Sequence, residues 1–277
     1  MKKWCLFLSA YLMLCLLAAC GAGAGEPVRG GVTEGSAVSA GPAQSEAEQA
    51  ATAVITCRVV SCEREESVLL AEQDGSGVFT LSLQDLTVTK DGRPWEEPGD
   101  RLRDGDLVDI GYSGVILETW PGQLHGAVWA DVRSDGRDSL CALYLRVLED
   151  LWETDSGLND GISMVGVDLS ATSLTESEQR AVAWAFASAH EKELVEGTWK
   201  ELGNQGYIDM ELLCWEEGCH FSITEKPIGG TYSLETVAFD AQKWRSGTGA
   251  YYFCDCTSLR SAQGEWGEYQ VGAHAIS

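Results

Sequence analysis

The sequence predicts an α+β fold in two parts. A small antiparallel β-barrel comes first, then an α+β domain with helices packed on an antiparallel sheet. Three observations predict it. Short β-branched segments recur between Asp-Gly turns as far as Arg133. Apolar-periodic segments with helix-start signals follow from Ser139. Beyond Tyr207 the pattern becomes strand-like and rich in aromatics. Helices first and a meander after place the helices on one face of the sheet.

Lys2 and Lys3 precede an apolar run from Trp4 to Leu17, which ends in Ala18-Ala19-Cys20. That is the order of a secretory signal peptide, here residues 1–19. The run falls short of the ~20 apolar residues a membrane span requires. Residues 20–50 are mostly Gly, Ala, Ser, Glu and Gln. They bury too little surface to offset the entropy of ordering them, so they read as a flexible tether.

Residues 51–135 form the expected barrel. Its segments are "AVITCRVVSC", "SVLLAEQ", "VFTLSL", "LTVTKDGRPW", "DGDLVDIGYSGVILETWPGQL" and "GAVWADV", with turns at Asp74 to Gly77, Asp91-Gly92 and Asp104-Gly105. Residues 138–277 form the second part. Leu140, Tyr144, Val147, Leu148 and Leu151 share one helical face. "ISMVGVDLS" reads as a strand, and Thr175-x-x-Glu178 opens a second helix as a capping box. A short third helix closes at Gly206. "ELLCWEEGCHFSI", "ETVAFDAQKW", "GAYYFCDCTS" and "GEWGEYQVGAHAIS" complete the meander.

Three stretches resemble known families. Leu17-Ala18-Ala19-Cys20-Gly21 resembles the lipobox of bacterial lipoproteins. The resemblance implies cleavage before Cys20 and acylation of its thiol and new N-terminus. The protein would then sit on the extracytoplasmic face of the cell membrane, held by lipid, and more than one acyl chain gives a firm anchor. Leu102, Gly105, Asp106, Val108, Gly114, Ile116, Glu118, Pro121 and Gln123 resemble the pattern of small OB-like modules in secreted Gram-positive proteins. The stretch from "LYLRVLEDLW" to "VGAHAIS" is similar to a domain of uncharacterised secreted bacterial proteins, which brings no activity with it.

Charge narrows the partners. The chain carries −24, and loss of Lys2 and Lys3 with the signal takes it to −26. Nucleic acid is excluded as a partner, because phosphates demand clustered Lys and Arg. A cell-surface protein or glycan remains, and an acidic surface keeps such a body soluble and self-repelling.

The ten cysteines leave seven after Cys5, Cys15 and Cys20 are set aside. Cys214 and Cys219 flank Trp215-Glu216-Glu217-Gly218, a four-residue hairpin loop, and are candidates for a disulfide. Cys254 and Cys256 lie two apart on a predicted strand and so share a face. Cys214, Cys219, Cys254 and Cys256 are a candidate zinc set, although Cys-x-Cys on a strand is not a zinc-knuckle spacing. Free thiols are the third reading.

Each catalytic motif is incomplete. His190-Glu191 begins a zincin pattern, but position 194 is leucine. Gly111-Tyr112-Ser113-Gly114 is one residue short of a nucleophile elbow. The loop from Asp155 has Gly157 where a calcium ligand belongs, which leaves weak surface calcium as the only calcium reading. The sequence therefore points away from an enzyme and toward a lipid-anchored module for binding, sensing or envelope assembly, with no required cofactor. Its candidate groove residues are Glu118, Trp120 and Gln123 in the first part and Trp244 and Arg245 in the second. The alternatives are a thiol or metal protein built on the four cysteines, and a hydrolase with its site at the domain junction.

Overall fold

The structure is a computed structural model that describes residues 51–64, 66–94, 101–228 and 235–277. The expected signal peptide, Cys20 and the tether lie outside the described residues. The described residues fall in one compact unit. No described helix is long and apolar enough to cross a membrane.

The first sheet has nine strands: β1 (Ala53–Arg64), β2 (Ser67–Glu72), β3 (Val78–Ser82), β4 (Thr87–Lys90), β5 (Arg93–Pro94), β6 (Leu107–Tyr112), β7 (Val115–Leu117), β8 (Gly122–His125) and β9 (Trp129–Arg133). Their order is β5-β4-β9-β6-β1-β2-β3-β8-β7. The Asp91-Gly92 turn joins β4 to β5 with both φ angles positive, as a tight hairpin requires. Val59, Leu70, Leu81, Val108, Ile110 and Val132 pack a core of their own on this sheet.

The second part contains α1 (Leu140–Glu153), a 3-10 turn (Ser156–Asn159), β10 (Met164–Ala171), α2 (Glu176–Ala189), β11 (Glu193–Val195), α3 (Trp199–Gln205), β12 (Gly218–Glu225), β13 (Thr236–Ser246), β14 (Gly249–Leu259) and β15 (Ala273–Ile276). Its sheet runs β11-β10-β12-β13-β14-β15.

The expected fold class is corrected in three respects. The described chain is mostly β, with 45% strand against 18% helix, so it is not α+β. The OB-like barrel does not form, because the first sheet stays open. Its end strands β5 and β7 do not pair with each other: β7 has only three residues, and Pro94 of β5 has no N–H to offer. The second sheet is mixed rather than antiparallel, since β10 pairs in parallel with both β11 and β12. Parallel neighbours need crossovers, and α2 and α3 supply them.

The layers explain the helix composition. α1 and α2 share one core with Val60, Leu69, Ala71 and Val78 of the first sheet and Val165, Phe221, Phe239 and Phe253 of the second. Both helices thus lie between two sheets. Buried side chains occur nearly all round α1, including Cys141, Leu143 and Leu145 off the expected face, as suits a helix covered on both sides.

Polar contacts fix the seam. Arg58 Nε donates to Glu178 Oε1 at 3.3 Å, with both side chains about nine-tenths buried. Ser177 Oγ donates to the Glu72 carbonyl at 2.6 Å. The chain position where the two expected parts meet, 135–138, lies between β9 and α1, and packing runs across it.

Candidate functional site

The site lies on the face of the second sheet turned away from α1 and α2. Alternation along each strand builds it. On β10, Val165, Val167 and Leu169 face the helices, which leaves Gly166 and Asp168 on the other side. On β12, Cys219, Phe221 and Ile223 face the helices, and His220, Ser222 and Thr224 do not. The register then aligns Asp168, Ser222, Gln242 and Tyr252 across four strands, beside a second row of Gly166, His220, Trp244 and Ala250.

α3 forms the wall. Its capping box joins Thr198 and Glu201, so Trp199 sits at the first helical position. Gly166 allows the helix to come close: a Cβ there would approach Leu202 Cδ1 to 2.8 Å and His220 Cδ2 to 3.3 Å. Trp199 meets Trp244 edge to face, with centroids 5.5 Å apart at 83°. The open cleft beside them measures about 320 Å³. A crevice of about 790 Å³ adjoins it and shares Asp168. It runs past Glu176, Arg180, Glu196 and Glu201, along β10 from Val167 to Ser170 and past the carboxyl end of β11.

His220 lines the cleft floor at 3% exposure, and its Nε2 has no hydrogen-bond partner. Burial lowers its pKa from 6.5 to about 4, against an opposing pull from the Asp168 charge. The ring is therefore neutral at pH 7, with one donor and one acceptor nitrogen. Asp168 Oδ1 accepts from Ser170 N at 3.0 Å and Ser170 Oγ at 2.6 Å. Among the described residues, Ser222, Thr224, Gln242 and Tyr252 make no side-chain hydrogen bond.

The expected groove residues divide between two places. Trp244 lines the cleft, but Arg245 donates to the backbone carbonyls of Leu158, Asp160 and Glu216 and is engaged there. Trp120 and Gln123 line a separate groove of about 430 Å³ with Trp184. The Arg180 guanidinium lies over the Trp120 ring at 4.4 Å. Glu118 is exposed and outside that groove.

The cysteines are dispersed, and the seven described ones are free. Cys214 lies before β12, bridged to Asp209 and Ser246, so no hairpin forms over 214–219. Cys219 Sγ donates to the Trp244 carbonyl at 3.3 Å. Cys256 sits opposite Phe239, which is opposite Glu225, six residues along β12 from Cys219. At strand rise that is ~20 Å.

The expectation that Cys254 and Cys256 share a face is corrected. Asp255 takes a positive φ in a bulge opposite Asp240, so Phe253 and Cys256 face the helices and Cys254 does not. Burial pushes the Cys62, Cys219 and Cys256 thiols up to about 12, which keeps them protonated at neutral pH. Among the described residues no three His, Cys, Asp or Glu side chains are placed to hold a metal ion. In the Asp155 loop, Lys243 and Arg245 occupy the carbonyls of Thr154, Asp155, Leu158 and Asp160 that a calcium ion would need.

Sequence reasoning missed Asp168, Trp199, His220, Ser222 and Gln242. The signal was the alternation His220-x-Ser222-x-Thr224 beside Gln242-x-Trp244, a polar row on two central strands. No protein-family model matches the chain, and no curated protein emerges as its relative.

Proposed function

We propose that the protein is a ligand-binding accessory module of the cell envelope. It is held on the extracytoplasmic face of the membrane by lipid on Cys20, and its ligand occupies the cleft over Asp168. The lipobox-like Leu17-Ala18-Ala19-Cys20 supports the address. The observation that carries the binding reading is His220, whose buried Nε2 has no partner among the described residues. A buried polar atom of that kind calls for an external partner.

Among the described residues His220 Nε2 is paired with no hydroxyl, so the hydrolase reading has no nucleophile–base pair in the cleft to rest on. The raised thiol pKa values and the dispersed cysteines give the thiol and metal readings no support.

Two measurements test the proposal. Cys20→Ala should move most of the protein from the membrane fraction to the soluble fraction; retention on the membrane sinks the anchor. Methyl glucoside, glucosamine and glucuronate share one ring and differ in charge. At least one of them, or the two-ring cellobiose, should shift the indole N–H resonances of Trp199 or Trp244, and silence toward all four removes the ligand site.

A further inference from the structure

We infer that the cleft takes a neutral saccharide of two linked rings, laid along the row Asp168, Ser222, Gln242 and Tyr252 with Trp199 as its apolar wall. This rests on the cleft being the ligand site and names the class of compound that fills it.

Charge selects first. Among the described residues Asp168 is the only carboxylate lining the cleft, and no Lys or Arg lines it. The adjoining crevice adds Glu176, Glu196 and Glu201, and its one cation, Arg180, is paired with Glu196 at 3.3 Å. An anionic ligand would enter a negative field without a counter-charge.

Hydrogen-bonding character selects next. Ser222, Gln242, Tyr252 and neutral His220 each carry both a donor and an acceptor. None of the first three is satisfied within the described chain, and His220 Nε2 is not either. An ammonium ion offers only donors and would leave half of these groups unmatched. A hydroxyl offers both. A ring bearing several hydroxyls therefore matches the row group by group, and its C–H face suits half-buried Trp199.

Length selects last. Four neighbouring strands place the ends of the row ~14 Å apart, which is longer than one pyranose and close to two. The cleft volume of about 320 Å³ lies at the lower end for small-molecule sites.

The test uses the purified protein and the three monosaccharides above, with cellobiose added for length. Binding is read from the indole resonances of Trp199 and Trp244. Methyl glucoside should bind, cellobiose should bind at least threefold tighter, and glucuronate should bind at least tenfold more weakly than methyl glucoside. Asp168→Asn and Gln242→Ala should each weaken cellobiose tenfold while leaving the dispersion of the amide spectrum unchanged. Binding of glucosamine alone overturns the neutral charge of the ligand and leaves the cleft a saccharide site. Equal affinity for cellobiose and methyl glucoside overturns the two-ring length. Silence toward all four sugars overturns both the class and the site.

Discussion

Lys243 is surrounded by apolar core and yet carries an ammonium group. Four carbonyls reconcile the two. Nζ donates to Leu151, Trp152, Thr154 and Asp155 at distances from 2.9 to 3.3 Å, so a residue of β13 closes the carboxyl end of α1. α1 has no basic residue in its own last turn, and Lys243 supplies the charge its dipole favours. Lys243→Met should leave those carbonyls without a donor and cost about 3 kcal/mol, read as a lower denaturation midpoint. A midpoint within error of the parent would show that water satisfies them instead.

His220 sets a pH dependence. Its folded pKa, about 4, lies below its ordinary 6.5. Between those values the unfolded chain holds the extra proton, so stability rises with pH there. The contribution is complete above pH 6.5 and is lost as pH falls through about 4, in total about 3 kcal/mol. His220→Gln should flatten the acid limb of the stability curve over that interval. An unchanged slope would mean the folded protein protonates His220 without difficulty.

At the scale of elements, the caps decide how firmly the cleft wall stands. Thr198 accepts from the Glu201 amide while the Glu201 carboxylate accepts from the Thr198 amide. Thr198→Ala should cost about 1 kcal/mol and fray α3 at Trp199, which would show as faster amide exchange over residues 199–202. This helix and its closing Gly206, with φ 85°, were legible in the sequence, as were α1, α2 with its own capping box, and the turn at Asp91-Gly92, whereas the Thr198 cap was not read there. Each depends on neighbours a few residues apart.

What was illegible depends on partners distant in sequence. β11 is three residues long and earns its place by parallel pairing with β10, which no local pattern announces. The Cys254–Asp255 bulge arises from its partner, because Asp240 Oδ1 accepts the Asp255 amide and Lys226 bridges both carboxylates. The site itself was hidden because Asp168, Ser222, Gln242 and Tyr252 come from four strands whose register only the fold supplies.

At the scale of the molecule, each of the two long helices is packed between sheets. α1 and α2 bury apolar surface against both sheets, and Glu178 caps α2 while pairing with Arg58 of β1. A fragment of residues 138–277 would present the helix surfaces that Val60, Leu69, Ala71 and Val78 now cover. It should bind a hydrophobic dye and melt without a sharp transition, whereas residues 44–277 should unfold in one step. A sharp, independent transition of the fragment would show that the second sheet and its helices suffice.

The parallel pairing of β10 with β12 has a consequence in time. Met164 must find Gly218, and in the first sheet Thr87 must find Trp129 and Phe79 must find Gly122. Each is a large loop closed before any contact rewards it, so refolding belongs on the millisecond-to-second scale. During that interval β10 waits with Val165, Val167 and Leu169 uncovered. Pairing between copies then competes with the arrival of β12, and the yield of refolded protein should fall as its concentration rises.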